Sequence, residues 1–103
     1  MTLEDVRTLV LSADPKAMHY VHAKGRSAYT TWQETQRIGM SADDARDKGW
    51  AFTVDRFTQT EFDETAAAIE QVLSGAVGVV CRYRVDYERE SGYIHHIFDC
   101  EGV

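Results

Sequence analysis

The side chains that could carry chemistry in this sequence are four histidines, two cysteines and a scatter of carboxylates. His19 and His22 are three residues apart, a spacing that sets two imidazoles on one helix face, as in a metal site. His95 and His96 are adjacent in a stretch that reads as a strand, so they point to opposite faces and cannot chelate one ion without a bulge. His95 and Asp99 share a face but stand roughly 13 Å apart along it, too far for co-ligation. No metal site follows from these. Cys81 and Cys100 fall on two strands whose pairing, argued below, sets them opposite each other, the arrangement of a redox pair. No helix N-terminus stands beside either to depress a thiol pKa, and the expectation is buried neutral thiols. Asp43, Asp44 and Asp63 are candidates for acid–base work, but Asp63 is placed to cap a helix and Asp43 and Asp44 lie in a polar stretch. There is no glycine-rich phosphate loop and no nucleophile elbow. The small-residue run "SGAVG" at residues 74–78 follows a helix instead of opening one. The residues therefore assign no catalytic, cofactor-binding or metal-binding position and call for no cofactor.

Composition narrows the class. A chain of 103 residues is read as one domain spanning 1–103, with a single core. A hydrophobic fraction of 44%, with two Trp, five Tyr and four Phe, is that of a folded globule. No apolar run approaches the roughly 20 residues of a membrane helix. "MTLEDVRTLVLSADP" places acids where a signal peptide needs bases, so folding in a cytosol is expected, with both cysteines reduced. The net charge is −6, from 17 acids and 11 singly scattered bases. Nucleic-acid binding needs clustered Lys and Arg to displace counterions, so none is expected.

These side chains must be positioned by a small set of elements. Thr2 and Asp5 form a capping box for a first helix whose Leu3, Val6, Leu9 and Val10 recur at helical spacing; Asp14 before Pro15 ends it. Residues 16–27 read as a short helical turn followed by a loop at Lys24 and Gly25. "AYTTWQETQRI", residues 28–38, is rich in Thr and aromatic residues and reads as a strand. Neither of its faces is cleanly apolar, which points to an edge or interface position. Residues 39–49 are polar, bounded by Gly39 and Gly49, and read as a long loop carrying Asp43, Asp44, Arg46, Asp47 and Lys48.

A strand at residues 50–59, with Phe52 and Val54 on one face and Phe57 on the other, runs into a helix. Thr60 is the predicted N-cap with Asp63 completing the box, Phe62, Ala66, Ile69 and Leu73 form the apolar stripe, and Gly75 is the expected left-handed C-terminal residue. The last two strands form a hairpin. Pairing Glu88 with Tyr93 sets Tyr87 opposite Ile94, Val85 opposite His96, Tyr83 opposite Phe98 and Cys81 opposite Cys100. It also sets Asp86 opposite His95 and Arg82 opposite Asp99, both favourable in charge when the histidine is protonated; a one-residue slip would mix the faces. The resulting expectation is an α+β fold in the order αββαββ, with two helices on one face of a four-stranded, largely antiparallel sheet.

"LEDVRTLVLSADP", "YTTWQE", "WAFTVDRFTQTEFDETAAAIEQVLSG" and "DYERESGYIHHIFDCEG", taken in order, resemble the tail-completion or tail-terminator proteins of long-tailed bacteriophages and prophages, of the minor tail protein U type. The resemblance spans nearly the whole chain and rests on patterns of residue type. It implies a non-enzymatic virion subunit that forms a ring, commonly a hexamer, at the head-proximal end of the tail tube, where it stops tube growth and meets the head connector. The implied partners are other copies of itself, the tail-tube protein and the head-connector protein, with no membrane and no specific nucleic acid. The implied location is the host cytoplasm before assembly and the virion tail afterwards. The isolated subunit is then expected to be monomeric, with Asp43, Asp44, Arg46, Asp47 and Lys48 on an inter-subunit or channel loop. An acidic wall suits a channel through which DNA must slide. A head-closure or other neck component of the same fold, or a small cytosolic enzyme or ligand-binding module, are the alternatives.

Overall fold

The computed structural model describes residues 1–21, 25, 27–39 and 48–103. Helix α1 (Leu3–Ala13) begins as its capping box dictates: the Thr2 N–H donates to the Asp5 carboxylate at 2.9 Å and the Asp5 N–H donates to the Thr2 hydroxyl at 3.1 Å. Those bonds hold the Asp5 carboxyl below its ordinary pKa, the backbone bond from Thr2 foremost. Asp14 closes the helix in extended conformation, with its N–H on the Val10 carbonyl. Val6 and Val10 are buried.

The sheet has five strands: β1 (Met18–His19), β2 (Ala28–Ile38), β3 (Gly49–Thr58), β4 (Val79–Glu88) and β5 (Tyr93–Gly102), in spatial order β1-β2-β3-β5-β4. Helix α2 (Glu64–Gly75) connects β3 to β4. β1 runs parallel to β2, with Met18 opposite Thr31 and His19 opposite Trp32, and the other pairings are antiparallel. This corrects the expected four-stranded αββαββ arrangement: the sheet is mixed and five-stranded, and the chain order is α1-β1-β2-β3-α2-β4-β5. The additional strand replaces the helical turn expected after Pro15. It is two residues long, too short to show alternation in sequence. It is held by the Tyr20 N–H on the Trp32 carbonyl at 3.0 Å and by His19 stacked between Tyr20 and Trp32.

Both helices cover the same sheet face. The core joins Val6 and Val10 of α1 and Ile69 and Leu73 of α2 to Trp32, Phe52, Val54, Phe98 and Cys100. The hairpin register is the expected one at every position from Glu88 opposite Tyr93 to Cys81 opposite Cys100. Two local expectations about α2 need correction, and β2 departs from regular alternation. A bulge at Thr35 breaks the alternation of β2, so beyond it Arg37, not Gln36, shares the face of Trp50 and lies over its ring at 4.7 Å. Helix α2 starts later than Thr60: Asp63 is the N-cap, accepting from the Ala66 N–H at 3.0 Å. Phe62 therefore precedes the helix, with φ at 57° and 91% of its surface exposed, instead of heading the buried stripe. Gly75 is the last helical residue, and the left-handed glycine is Gly78.

Candidate functional site

Of the loop residues singled out in the sequence, Asp43, Asp44, Arg46 and Asp47 lie outside the described residues, as does His22. Lys48 is exposed, and its carbonyl accepts from the N-terminal ammonium of Met1 at 3.2 Å, tying the start of α1 to the start of β3.

The described histidines sit at three separate places. His19 stacks on Trp32 with centroids 3.9 Å apart, and its Nε2 lies 2.9 Å from a Glu34 carboxylate oxygen. His95 is on the sheet face away from the helices, where its Nε2 lies 2.7 Å from Asp55 and its ring stacks on Phe57 at 4.1 Å. His96 is on the helix side, with Nδ1 2.5 Å from the Tyr83 hydroxyl. Burial of His96 holds its pKa below the ordinary histidine value, Arg56 and His95 adding to that and Asp63 opposing it. Burial likewise raises the Tyr83 phenol. Among the described residues no group of three or more His, Cys, Asp or Glu is placed to hold a metal ion, and no helix is long and apolar enough to cross a membrane.

The hairpin's charges pair diagonally instead of straight across. His95 takes Asp55 on β3 although Asp86 faces it on β4, and Arg84 lies 3.7 Å from Asp99. Cys81 and Cys100 are joined as a disulfide, with Cα atoms 4.1 Å apart. The expectation of free thiols is corrected on that point, while the register that brought the two together stands.

Two features escaped the reading of the sequence. The first is a charge centre under the start of α2. Arg56 donates from Nε to Asp63 at 2.8 Å and from a terminal nitrogen to Thr30 at 3.3 Å, with Asp14 at 3.7 Å. Burial pushes the Asp63 carboxyl up, but the hydrogen bonds from Arg56 and Ala66 and the Arg56 charge outweigh it, so its pKa is lowered. This centre locks the loop between β3 and α2 to the ends of α1 and β2. The only advance signal was an Arg among alternating apolar residues of a strand.

The second is an apolar surface at the hairpin end of the sheet. The molecule measures 48 × 23 × 22 Å, and the far end of β4 runs out from under the helices. Tyr83, Val85 and Tyr87 share the helix-side face with Cys81 and Phe98, yet they are 42%, 52% and 59% exposed. Phe62 projects beside them across a cleft that Ala66, Tyr83, Ile94 and His96 also line. A bulky residue at positive φ is costly and persists where the surroundings hold it there. Here the preceding turn is tied by the Thr60 N–H on the Thr58 hydroxyl at 3.1 Å. β4 is also a sheet edge, with no neighbour on its outer side among the described residues. An exposed edge rimmed by aromatic and β-branched residues is suited to contact with another protein surface.

No family model and no curated protein matches this sequence. Among solved structures, the chain is similar to one in the virion of a native gene transfer agent particle, with a TM-score of 0.54 and 15% sequence identity. The match covers 97% of this chain and 88% of that one, so the two share a fold over essentially their whole lengths.

Proposed function

We propose that this chain is a structural virion protein of a phage-like particle, a tail-terminator ring subunit that caps the head-proximal end of the tail tube and helps join tail to head. The observation that carries this reading is the whole-length fold shared with a gene transfer agent virion chain. The exposed hairpin surface and the β4 edge, unpaired among the described residues, supply the kind of contact area that a subunit of an assembly requires. Its partners are further copies of itself, the tail-tube protein and the head connector, and it performs no catalytic step. Individual contacts are weak and become strong in a closed ring, where each subunit gains two neighbours and a platform. Deleting the gene from an inducible prophage should leave filled heads and tails of unregulated length that fail to join them. Normal head-joined tails in the deletion strain would rule the proposal out. Tails of regular length that fail to join would place the protein elsewhere in the neck.

A further inference from the structure

The exposed edge strand contains "RYRVDYE", residues 82–88. Read outwards from Val85, this stretch is antisymmetric in charge: Arg84 is matched by Asp86, Tyr83 by Tyr87 and Arg82 by Glu88. We propose that β4 pairs with β4 of a second copy of this chain, antiparallel and centred on Val85, to make a two-fold dimer with a continuous ten-stranded sheet, twice the five strands of one chain.

Three observations carry this. The first is charge. In this register Arg84 faces Asp86 of the second copy and Arg82 faces its Glu88, and symmetry repeats both pairs, so four opposite-charge pairs stand directly opposed and no like-charge pair does; Arg84 meets its own copy only on the diagonal. Directly opposed charges of opposite sign stabilise an antiparallel pair, and like charges destabilise it. Moving the centre by one residue to Arg84 would set that arginine against its own copy.

The second is the apolar face. Tyr83, Val85 and Tyr87 lie on one side of the strand and are about half exposed. In the dimer each tyrosine meets the other tyrosine of the second copy, and Val85 meets Val85. Aromatic and β-branched cross-strand pairs of this kind are the favourable ones.

The third is the backbone. Cys81 and Cys100 have Cα atoms 4.1 Å apart, the close spacing of a non-hydrogen-bonded antiparallel pair. By alternation, Tyr83, Val85 and Tyr87 are also non-hydrogen-bonded towards β5. Their N–H and C=O groups therefore point to the outer edge, where a second β4 can satisfy them. The same residues that face each other through their side chains thus present the hydrogen bonds of the new ladder.

An isologous contact closes on itself, so it yields a dimer and stops. It is distinct from the head-to-tail contact that a ring needs, and its test reads self-association alone.

The test uses the full chain in sedimentation equilibrium at low ionic strength, where exposed charge pairs are least screened. The wild type should reach twice the monomer mass as concentration rises, in place of the isolated monomer that the family resemblance implies. Arg84→Asp and Asp86→Arg should each raise the dimer Kd by about tenfold or more, since each turns two attractions into two repulsions. The double substitution should return it to within about threefold of wild type. Mixing the two single variants should also restore a dimer, because each then supplies the charges that the other lacks, a result that a folding defect cannot produce. Val85→Pro removes an outward N–H and should leave a folded monomer. A wild type that stays monomeric at every concentration would overturn the proposal. So would a dimer whose Kd ignores the single swaps, or variants that fail to recover on mixing.

Discussion

Arg56 is the residue whose loss should be felt most widely in this fold. Its side chain is 90% covered, and its guanidinium is held by Asp63, Thr30 and Asp14, which belong to the start of α2, to β2 and to the end of α1. Arg56→Met keeps most of the volume and removes the charge. Asp63 would then be a carboxylate with about a tenth of its side chain exposed and, among the described residues, only the Ala66 N–H as hydrogen-bond partner. Breaking a buried pair from one side costs about 3–5 kcal/mol. The lower end is expected here, because Asp63 sits at a helix N-terminus whose dipole favours an anion. About 3 kcal/mol in a domain of this size lowers the melting temperature by roughly 12 °C or more.

The sign of the pH dependence gives an independent check. In the wild type the Asp63 pKa is lowered. Its contribution is present above the unfolded value and is lost as pH falls through the folded one. In Arg56→Met, burial is no longer outweighed, the carboxyl titrates upwards, and the deficit relative to wild type should shrink in acid. Asp63→Asn retains a good N-cap while removing the charge. Placed in the Arg56→Met background, it should recover part of the lost stability, because the penalty resides in the orphaned carboxylate. Urea unfolding of the four proteins at neutral and acid pH measures all of this. A loss under half a kcal/mol for Arg56→Met, or strict additivity of the two changes, would refute the reasoning.

Leu73→Ala should cost about 2–5 kcal/mol in denaturant unfolding, because Leu73 is fully buried in the core between α2 and the sheet. Phe62→Ala should change stability by less than about half a kcal/mol, its ring being almost wholly in solvent. Reducing the Cys81–Cys100 disulfide should lower stability by about 2–4 kcal/mol while leaving the far-UV spectrum intact, since the hairpin register is set by ten residue pairs; an alkylating reagent should label neither cysteine until reductant is added. The His96 pKa is lowered by burial, so the unfolded chain binds the proton first, and stability should fall as pH drops from about 6.5 towards the folded value. Melting curves across that window should show a shallower fall for His96→Gln, and equal slopes would discard the assignment.

What the sequence revealed of this fold was what depends on near neighbours along the chain or across a tight turn. The Thr2–Asp5 box, the stop at Pro15 and the hairpin register from Glu88 to Cys81 all rest on interactions a few residues apart or on one turn. The errors lie where a distant element decides. Thr60 and Asp63 are both good caps, and local propensity does not choose between them. Arg56, seven residues before Asp63 and on another element, draws the aspartate to the cap position and leaves Phe62 outside the helix. β1 exists because Trp32 offers His19 a ring to stack on and Tyr20 a carbonyl to bond. Two residues carry no period of their own.

The candidate assembly surface was hidden for a related reason. In sequence, Tyr83, Val85 and Tyr87 alternate as core residues do, and their partners Phe98, His96 and Ile94 are as apolar or aromatic as those of Cys81. Alternation reports which side of a strand a residue is on, and it is silent on whether anything covers that side. Coverage depends on the reach of α2, a helix of 12 residues that at about 1.5 Å per residue spans roughly 18 Å. β4 and β5, with ten residues each, extend about 33 Å. The difference leaves the hairpin end of the helix-side face in solvent. A strand patterned for burial on a stretch that its own helices cannot reach is patterned for a surface supplied from outside the chain. In the proposed assembly, that surface is supplied by a second subunit.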